Sequence, residues 1–315
     1  MVKLRHSNIV GWLMSGALVI GCQPGSTQPP AAVSGPARTV AHAYGETQVP
    51  VSPQRVVVLD TAPLDTAVAL NIQPVGTIIY GSLPDYLGEA VTDITIVGDG
   101  NQPNLEAILQ LEPDLILGSK IGTPRRLYRQ LSQIAPTVMT EGSGRESDWQ
   151  ENFLLYAEAL GQLEQAGQLL QRYRDRAQQL EDAIAQPADL EISVLSTYGD
   201  RIGAYTVNSF SGSVLVDVGL SRPPAQDITR NYVVEFSAEA LDKLDGDYIF
   251  FIYSPDFSVG IQKEEFITDP VWSQLQAVRQ NQVCEVPGAV WGAGRSILAA
   301  NQILTDVEAC LAQTD

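Results

Sequence analysis

The chain has 315 residues, of which 44% are hydrophobic and 18% are charged, and it carries a formal net charge of −18. This composition is typical of a globular protein and provides enough apolar residues for two domains of ordinary size. Because phosphate backbones repel a strongly acidic protein, the charge excludes nucleic acid as a partner.

The N-terminus has the pattern of a secretion signal. Residues 1–21 combine Lys3 and Arg5 with an apolar segment that is too short for a comfortable membrane-spanning helix. The segment ends in Val-Ile-Gly before Cys22, which resembles a bacterial lipobox. We therefore predict a lipoprotein signal peptide, a lipid on Cys22, and anchoring to the membrane on the periplasmic side of the cell envelope. The alternative is an ordinary signal peptide in which Cys22 is incidental.

Residues 22–50 begin with a stretch rich in Pro, Gly, Ser and Gln, which predicts a flexible tether. Short apolar strands then alternate with short helices, beginning with the β-branched run RVVVLD at 55–60. This alternation predicts a parallel sheet with helices on both faces, in an N-terminal lobe over 51–146.

A long helical pattern separates this lobe from a second one. Residues 147–188 are predicted to be helical and to include one helix of more than twenty residues that crosses between the lobes. The alternation of strands and helices then resumes over 189–315. The predicted fold is therefore α/β, with two Rossmann-like lobes built on central parallel sheets, one long bridging helix, and a ligand cleft between the lobes.

One helix-plus-strand unit occurs twice. PNLEAILQLEPDLILGS (103–119) aligns without a gap with part of FSAEALDKLDGDYIFFIYS (236–254), so that Glu106 falls on Glu239. Such a repeat indicates two similar halves.

Several chemistries have no residues to carry them. The only histidines are His6 and His42, which excludes Ser-His-Asp and Cys-His catalysis and a histidine-rich metal site. No glycine-rich phosphate-binding loop occurs. We predict that the protein is not an enzyme and has no catalytic residue, metal or cofactor. Cys284 and Cys310 are open to two interpretations, a disulfide in an oxidising compartment or two buried thiols.

Aromatic and cationic side chains instead stand at predicted strand ends and in loops, where open α/β sheets bind ligands. Aromatic rings stack on planar chelates, and Arg or Lys binds anionic oxygens. The candidates for ligand contact are Tyr80, Lys120, Arg201, Tyr205, Tyr232, Trp291 and Arg295. Each of them alone is more often a packing or surface residue.

Several stretches carry a resemblance to a known family. They are PQRVVVLD, ALNIQPVG, PNLEAILQLEPDLILGS, LSQIAPTV, VLVDVGLSRP and VPGAVWGAGRSILAANQIL, which span most of residues 52–310. The chain resembles the substrate-binding lipoproteins of bacterial ABC importers for ferric siderophores, which are related to cobalamin-binding proteins. The resemblance implies the helical-backbone fold of periplasmic binding proteins, a monomer, and a ferric siderophore as ligand.

The resemblance also implies roles for single residues. Glu106 and Glu239 are expected to dock onto the dimeric membrane permease, the alternative being that each only complements its own helix terminus. Trp291 ranks first among the expected ligand contacts, and Tyr232 lies just before the second Glu motif, where such binders also place an aromatic residue. The siderophore type stays open between hydroxamate, catecholate and citrate. The alternative functions are a cobalamin- or haem-binding protein of the same architecture and, less favoured, an envelope esterase.

Overall fold

A computed structural model of the chain describes residues 31, 33, 35–100, 102–198, 201–253, 267–268 and 270–312. The predicted signal peptide and the predicted lipidation site Cys22 lie outside the described residues. Within those residues, no helix combines the length and the apolar character that crossing a bilayer requires.

The first element of the described residues is a hairpin of β1 (Ala37–His42) and β2 (Gly45–Pro50). It corrects the prediction of a flexible tether through residue 50. Val40 pairs with Thr47 and Val49 pairs with Arg38 across the hairpin, and both valines are fully buried. Burial of this apolar face holds residues 37–50 against the N-terminal lobe.

The N-terminal lobe is built on a six-stranded sheet with the order β6-β5-β4-β3-β7-β8, in which only β6 is antiparallel to its neighbour. Its strands are β3 (Val56–Val58), β4 (Gly76–Ile79), β5 (Thr95–Asp99), β6 (Gln102–Pro103), β7 (Leu115–Ser119) and β8 (Thr137–Thr140). Its helices are α1 (Thr61–Ala69), α2 (Leu105–Gln110) and α3 (Arg125–Ile134). All three valines of β3 are fully buried, as predicted for a central strand covered on both faces.

The C-terminal lobe is built on a five-stranded sheet with the order β11-β10-β9-β12-β13. Its strands are β9 (Ile192–Tyr198), β10 (Arg201–Tyr205), β11 (Val233–Phe236), β12 (Tyr248–Tyr253) and β13 (Val283–Pro287). Its helices are α6 (Phe210–Asp217), α7 (Gln276–Arg279), α8 (Gly288–Trp291) and α9 (Ile297–Leu311). This sheet is mixed, because β10 runs antiparallel to both β9 and β11.

Two helices connect the lobes, α4 (Trp149–Leu160) and α5 (Leu163–Ala183). With 21 residues, α5 is the predicted long bridging helix and spans about 30 Å. Its buried side follows helical spacing through Ala166, Leu170, Tyr173 and Ala177, which is the pattern of an amphipathic helix.

A single hydrophobic core continues from one lobe into the other and includes α1, α4, α5 and α9. Buried polar contacts cross the same boundary. The Asp65 carboxylate of α1 accepts hydrogen bonds from the backbone N–H groups of Leu298 and Ala299 at 3.0 Å each, and the Thr66 and Ser296 hydroxyls lie 2.9 Å apart. A carboxylate of the first lobe thus caps the first turn of helix α9, which belongs to the second lobe. The shared core and this cap fix how the lobes sit against each other.

Cys284 and Cys310 form a disulfide that links β13 to α9, with their Cα atoms 6.0 Å apart. Of the two interpretations of these cysteines, the structure therefore shows the bonded pair.

Candidate functional site

The candidate site lies where the two sheets face each other along the boundary between the lobes. Parallel strands of both sheets end at this boundary, and the residues that follow them are therefore brought together. Asp60 follows β3, Tyr80 follows β4, and Lys120 follows β7 in the first lobe. Arg295 comes from the loop between α8 and α9 in the second lobe.

Asp60 and Arg295 form a buried ion pair between the lobes. Arg295 Nη1 lies 2.6 Å from Asp60 Oδ1, and the two side chains are only 5% and 3% exposed. Asp60 also accepts a hydrogen bond from the Thr61 N–H at 2.8 Å, as the N-cap of α1. The positive charge of Arg295 is thus neutralised inside the protein and does not stand free in a cleft.

Tyr80 lies beside this ion pair and is half-buried. The Arg295 guanidinium carbon is 5.7 Å from the centre of the Tyr80 ring, a cation–π distance. A cavity of about 50 Å³ opens next to them and is lined from both lobes, by residues that include Ser82 and Ala293. The structure thus brings together two of the predicted contact residues, Tyr80 and Arg295, from different lobes.

Arg145 is a further candidate from the boundary between the lobes, and sequence reasoning missed it. It belongs to the loop after β8, and its carbonyl accepts a hydrogen bond from the N–H of Phe210 at 2.9 Å. Burial raises the pKa of Tyr80 and of Tyr205, and the positive charge of Arg145 partly offsets the shift at both hydroxyls. The Arg145 guanidinium is therefore within electrostatic range of both rings.

Arg145 is exposed, and no carboxylate in the part of the chain that the structure describes lies within ion-pair distance of it. Two cations that the sequence did predict, Lys120 and Arg201, differ in this respect. Lys120 Nζ is 2.7 Å from Glu141 Oε2, and Arg201 Nε is 3.3 Å from Glu235 Oε2, both at exposed positions. Arg145 is thus available to an anionic ligand without first giving up a carboxylate partner.

Tyr205 and Tyr232 come from the second lobe. Tyr205 ends β10, and its carbonyl accepts a hydrogen bond at 2.6 Å from Arg222, a buried arginine. The Tyr205 hydroxyl would lie 3.2 Å from a Cβ built on Gly292, so its ring reaches towards the loop that carries Arg295. Tyr232 precedes β11 and is 37% exposed, and its carbonyl accepts a hydrogen bond from the Thr206 N–H.

The structure places Trp291 elsewhere than the resemblance led us to expect. The residue is only 1% exposed, and its ring stacks on Phe250 with the ring centres 4.7 Å apart. The indole Nε1–H donates to Asp306 Oδ2 at 2.8 Å. Both the apolar faces and the polar edge of the ring are therefore used inside the C-terminal lobe, and Trp291 is a packing residue in this structure.

Glu106 and Glu239 are both exposed and lie in the first turns of their helices. Asn104 caps α2 by accepting from the N–H groups of Glu106 and Ala107. Glu239 lies in a 3-10 helix, Ala238–Leu244, and a hydrogen bond with Ser237 lowers its pKa. Each helix begins at the carboxyl edge of its own sheet, so the two repeats give the two acids equivalent places in the two lobes.

The described residues contain no group of three or more His, Cys, Asp or Glu side chains that could hold a metal ion. His42, which lies in the hairpin, hydrogen-bonds Thr47 Oγ1 at 2.8 Å through Nε2. The arrangement offers cationic and aromatic contacts to a ligand, which is chemistry suited to binding.

Two α/β lobes bridged by a long helix, with such a site between them, define a two-lobed binding protein. The chain belongs to the periplasmic binding protein family, whose profile, described as "Periplasmic binding protein", matches residues 56–290.

Named relatives cover most of the chain. It is 30% identical to the "Probable siderophore-binding lipoprotein YfiY" of Bacillus subtilis (strain 168), over 99% of this chain and 100% of that protein. It is 34% identical to the "Achromobactin-binding periplasmic protein" of Dickeya dadantii (strain 3937), over 81% of this chain and 85% of that one. Among solved structures, Staphylococcus aureus SirA complexed with staphyloferrin B is similar, with a TM-score of 0.77 and 29% identity over 87% of this chain and 98% of SirA.

Proposed function

We propose that this protein is the substrate-binding component of an ABC importer, and that it binds a ferric siderophore between its lobes and delivers it to a membrane permease. The observation that carries the proposal is Arg145 at the boundary between the lobes, where its carbonyl accepts a hydrogen bond from Phe210 of the second lobe. Its exposed side chain has no carboxylate partner among the described residues, and its charge acts on Tyr80 and Tyr205. Its relatives support the same ligand class, since YfiY is described as a probable siderophore-binding lipoprotein and SirA has been solved with staphyloferrin B bound.

The ligand class follows from the side chains. A guanidinium with free N–H groups binds oxygen-rich anions, and tyrosine rings and hydroxyls contact the planar and polar parts of a chelate. We therefore propose Arg145, Tyr80, Tyr205 and Tyr232 as direct contacts. Lys120 and Arg201 are proposed as rim contacts, because exposed ion pairs of about 0–1 kcal/mol can rearrange around a charged ligand. Trp291 is left out because it is buried.

A binding screen tests this function. The intrinsic fluorescence of the protein is titrated with ferric staphyloferrin B, ferric citrate, a ferric hydroxamate and a ferric tris-catecholate. We expect saturable quenching by at least one of the anionic chelates. Flat titrations with all four would contradict the proposed function.

We propose that Glu106 and Glu239 contact basic pockets of the permease. The support is their exposure and their equivalent places in the two lobes. Two acids held on a fixed scaffold can meet two pockets of a dimeric partner at once. In cells that carry the permease, Glu106→Ala with Glu239→Ala should abolish uptake while the Kd for the chelate stays unchanged. The matched control is Glu151→Ala, which removes an exposed acid from the first turn of α4; uptake unaffected by the double change would contradict this role.

We further propose that a lipid on Cys22 anchors the protein at the periplasmic side of the membrane. The support is the lipobox-like sequence before Cys22 and the description of the relative YfiY as a lipoprotein. Cys22→Ser should move the protein from the membrane fraction to the soluble fraction of the envelope. Retention of the variant in the membrane fraction would contradict lipid anchoring.

A further inference from the structure

Tyr80 is packed directly against the backbone of Gly100 in the turn between β5 and β6. A Cβ atom built on Gly100 would lie 1.8 Å from Cε1 and 2.2 Å from Cδ1 of the Tyr80 ring. No side chain larger than that of glycine fits there unless the ring moves. The Gly100 backbone therefore limits where the Tyr80 ring can lie.

Arg295 limits the same ring from the other lobe. Its guanidinium carbon is 5.7 Å from the ring centre, and Nη1 is held 2.6 Å from Asp60 Oδ1. Asp60 is in turn fixed by the Thr61 N–H at 2.8 Å and the Ser119 hydroxyl at 3.3 Å. Arg295 is thus held by a buried partner and has little freedom to turn towards a ligand.

We propose that Gly100 and Arg295 are positioning residues for Tyr80, and that Arg295, in contrast to the expectation from sequence, does not itself contact the chelate. Gly100, Tyr80, Arg295 and Asp60 are called the Tyr80 stack below. Because Asp60 and Arg295 belong to different lobes, the stack ties the orientation of Tyr80 to the relative placement of the lobes. The Tyr80 ring is therefore presented to the chelate in one preformed orientation. This inference rests on the proposed function.

The Tyr80 stack predicts that residue 100 must be glycine for the Tyr80 ring to keep its position. Gly100→Ala must displace the Tyr80 ring or the backbone at residue 100, since real Cβ atoms are essentially never found within 3.0 Å of another heavy atom, and either shift separates the ring from its support. We expect the Kd for ferric staphyloferrin B to rise about tenfold, the size of effect expected for loss of an aromatic contact. Gly122→Ala is the matched control, because the nearest atom to its Cβ is 3.8 Å away; its Kd should equal that of the wild type.

A double-mutant cycle separates positioning from general damage. Tyr80→Leu should raise the Kd by a similar factor, and Gly100→Ala should add nothing further in the Tyr80→Leu background, because Gly100 acts only through the ring. The Tm of each unliganded variant is measured alongside and should stay close to that of the wild type. Wild-type affinity in Gly100→Ala, or independent losses that multiply in the double variant, would overturn the proposal.

A measurement without ligand tests the stack separately. A glycine Hα packed on an aromatic ring is shifted upfield by the ring current, so the Gly100 Hα resonance should be upfield in the wild type and return to an ordinary position in Tyr80→Leu. If the Gly100 Hα of the wild type has an ordinary chemical shift and the protein binds chelate normally, the positioning role of the stack would be overturned and the proposed function would stand. Failure of the wild type to bind any chelate, with the upfield shift present, would overturn the proposed function and the positioning role that rests on it.

Discussion

Asp60 and Arg295 are 235 residues apart in sequence and form an ion pair at 2.6 Å between the two lobes. Both side chains are almost fully withdrawn from water, and Asp60 sits at the N-terminus of α1. This contact joins the two lobes at the border of the cleft. We therefore expect the separation of the lobes to stay the same when a ligand binds.

Breaking this ion pair should cost stability. Asp60→Asn leaves the Arg295 charge buried without its carboxylate, and loss of one partner of a buried pair costs about 3–5 kcal/mol. We expect the free energy of unfolding, measured by urea denaturation, to fall by roughly that amount. Glu141→Gln is the control, because it removes one partner of the exposed Lys120–Glu141 pair and should cost less than about 1 kcal/mol. Equal effects of the two changes would contradict the structural role of Asp60.

Asp65 should give the stability a distinctive pH dependence. Burial raises the pKa of its carboxyl to about 6, against the opposing hydrogen bonds from Leu298 and Ala299. The native state therefore binds a proton between about pH 6 and pH 4 that the unfolded chain does not bind, so the contribution of Asp65 to stability rises as the pH falls through this window. At neutral pH the ionised group costs about 2–3 kcal/mol relative to an unshifted carboxyl.

The measurement compares the wild type with Asp65→Asn, whose side chain does not titrate. The difference in free energy of unfolding, wild type minus variant, should increase by about 2–3 kcal/mol from pH 7 to pH 4. A difference that is flat with pH, or that falls on acidification, would contradict a raised pKa at Asp65.

The disulfide should contribute to stability through the unfolded chain. Cys284 and Cys310 are separated by 26 residues, and closing a loop of this length stabilises a protein by about 3–4 kcal/mol in the chain-entropy account. We expect Cys284→Ser with Cys310→Ser to lower the free energy of unfolding by about that amount under oxidising conditions. Dithiothreitol should lower the stability of the wild type similarly and leave the variant unchanged. A wild type insensitive to the reductant would argue against this contribution.

Gly144 should be needed for the placement of Arg145. Its φ of +79° lies in the left-handed region, and a Cβ on it would approach the carbonyl oxygen of Arg295 to 2.8 Å. Gly144→Ala should therefore lower the free energy of unfolding by about 1–2 kcal/mol or more and weaken chelate binding. The control is Gly167→Ala in α5, which has open space around its Cβ and should keep or slightly raise stability. Equal stability of the two variants would contradict the strain argument.

Local patterns in the sequence were sufficient for the architecture. The apolar run at β3 and the helical period through Leu170 and Tyr173 reflect burial that acts along one element. The hairpin was wrongly assigned to the tether because the stretch before it, rich in proline and glycine, resembles a linker. The hairpin depends on the burial of Val40 and Val49 against the first lobe, which no local pattern in the sequence reveals.

The site residues were harder to predict from the sequence than the fold. Whether a side chain can contact a ligand depends on partners that are distant in the chain. Trp291 is an aromatic residue near a predicted loop, yet Phe250 and Asp306 use its faces and its N–H group. Arg295 is neutralised by a residue in the other lobe. Arg145 is the reverse case, a residue that is free to bind but was not predicted. A lone arginine in a polar loop looks like an ordinary surface residue. Its position after β8, at a strand end, was the one available signal.

The central claim is that the protein binds an anionic ferric chelate between its lobes through Arg145. The most direct test is a fluorescence titration of the wild type, of Arg145→Gln and of the control Arg172→Gln with ferric staphyloferrin B at two ionic strengths. Arg172 is an exposed arginine of α5, and its substitution removes the same charge away from the proposed contacts. We predict saturable binding by the wild type and the control, a Kd about 10- to 100-fold higher for Arg145→Gln, and a weaker salt dependence in that variant. Equal affinity of the wild type and Arg145→Gln, or no binding by either, would contradict the claim.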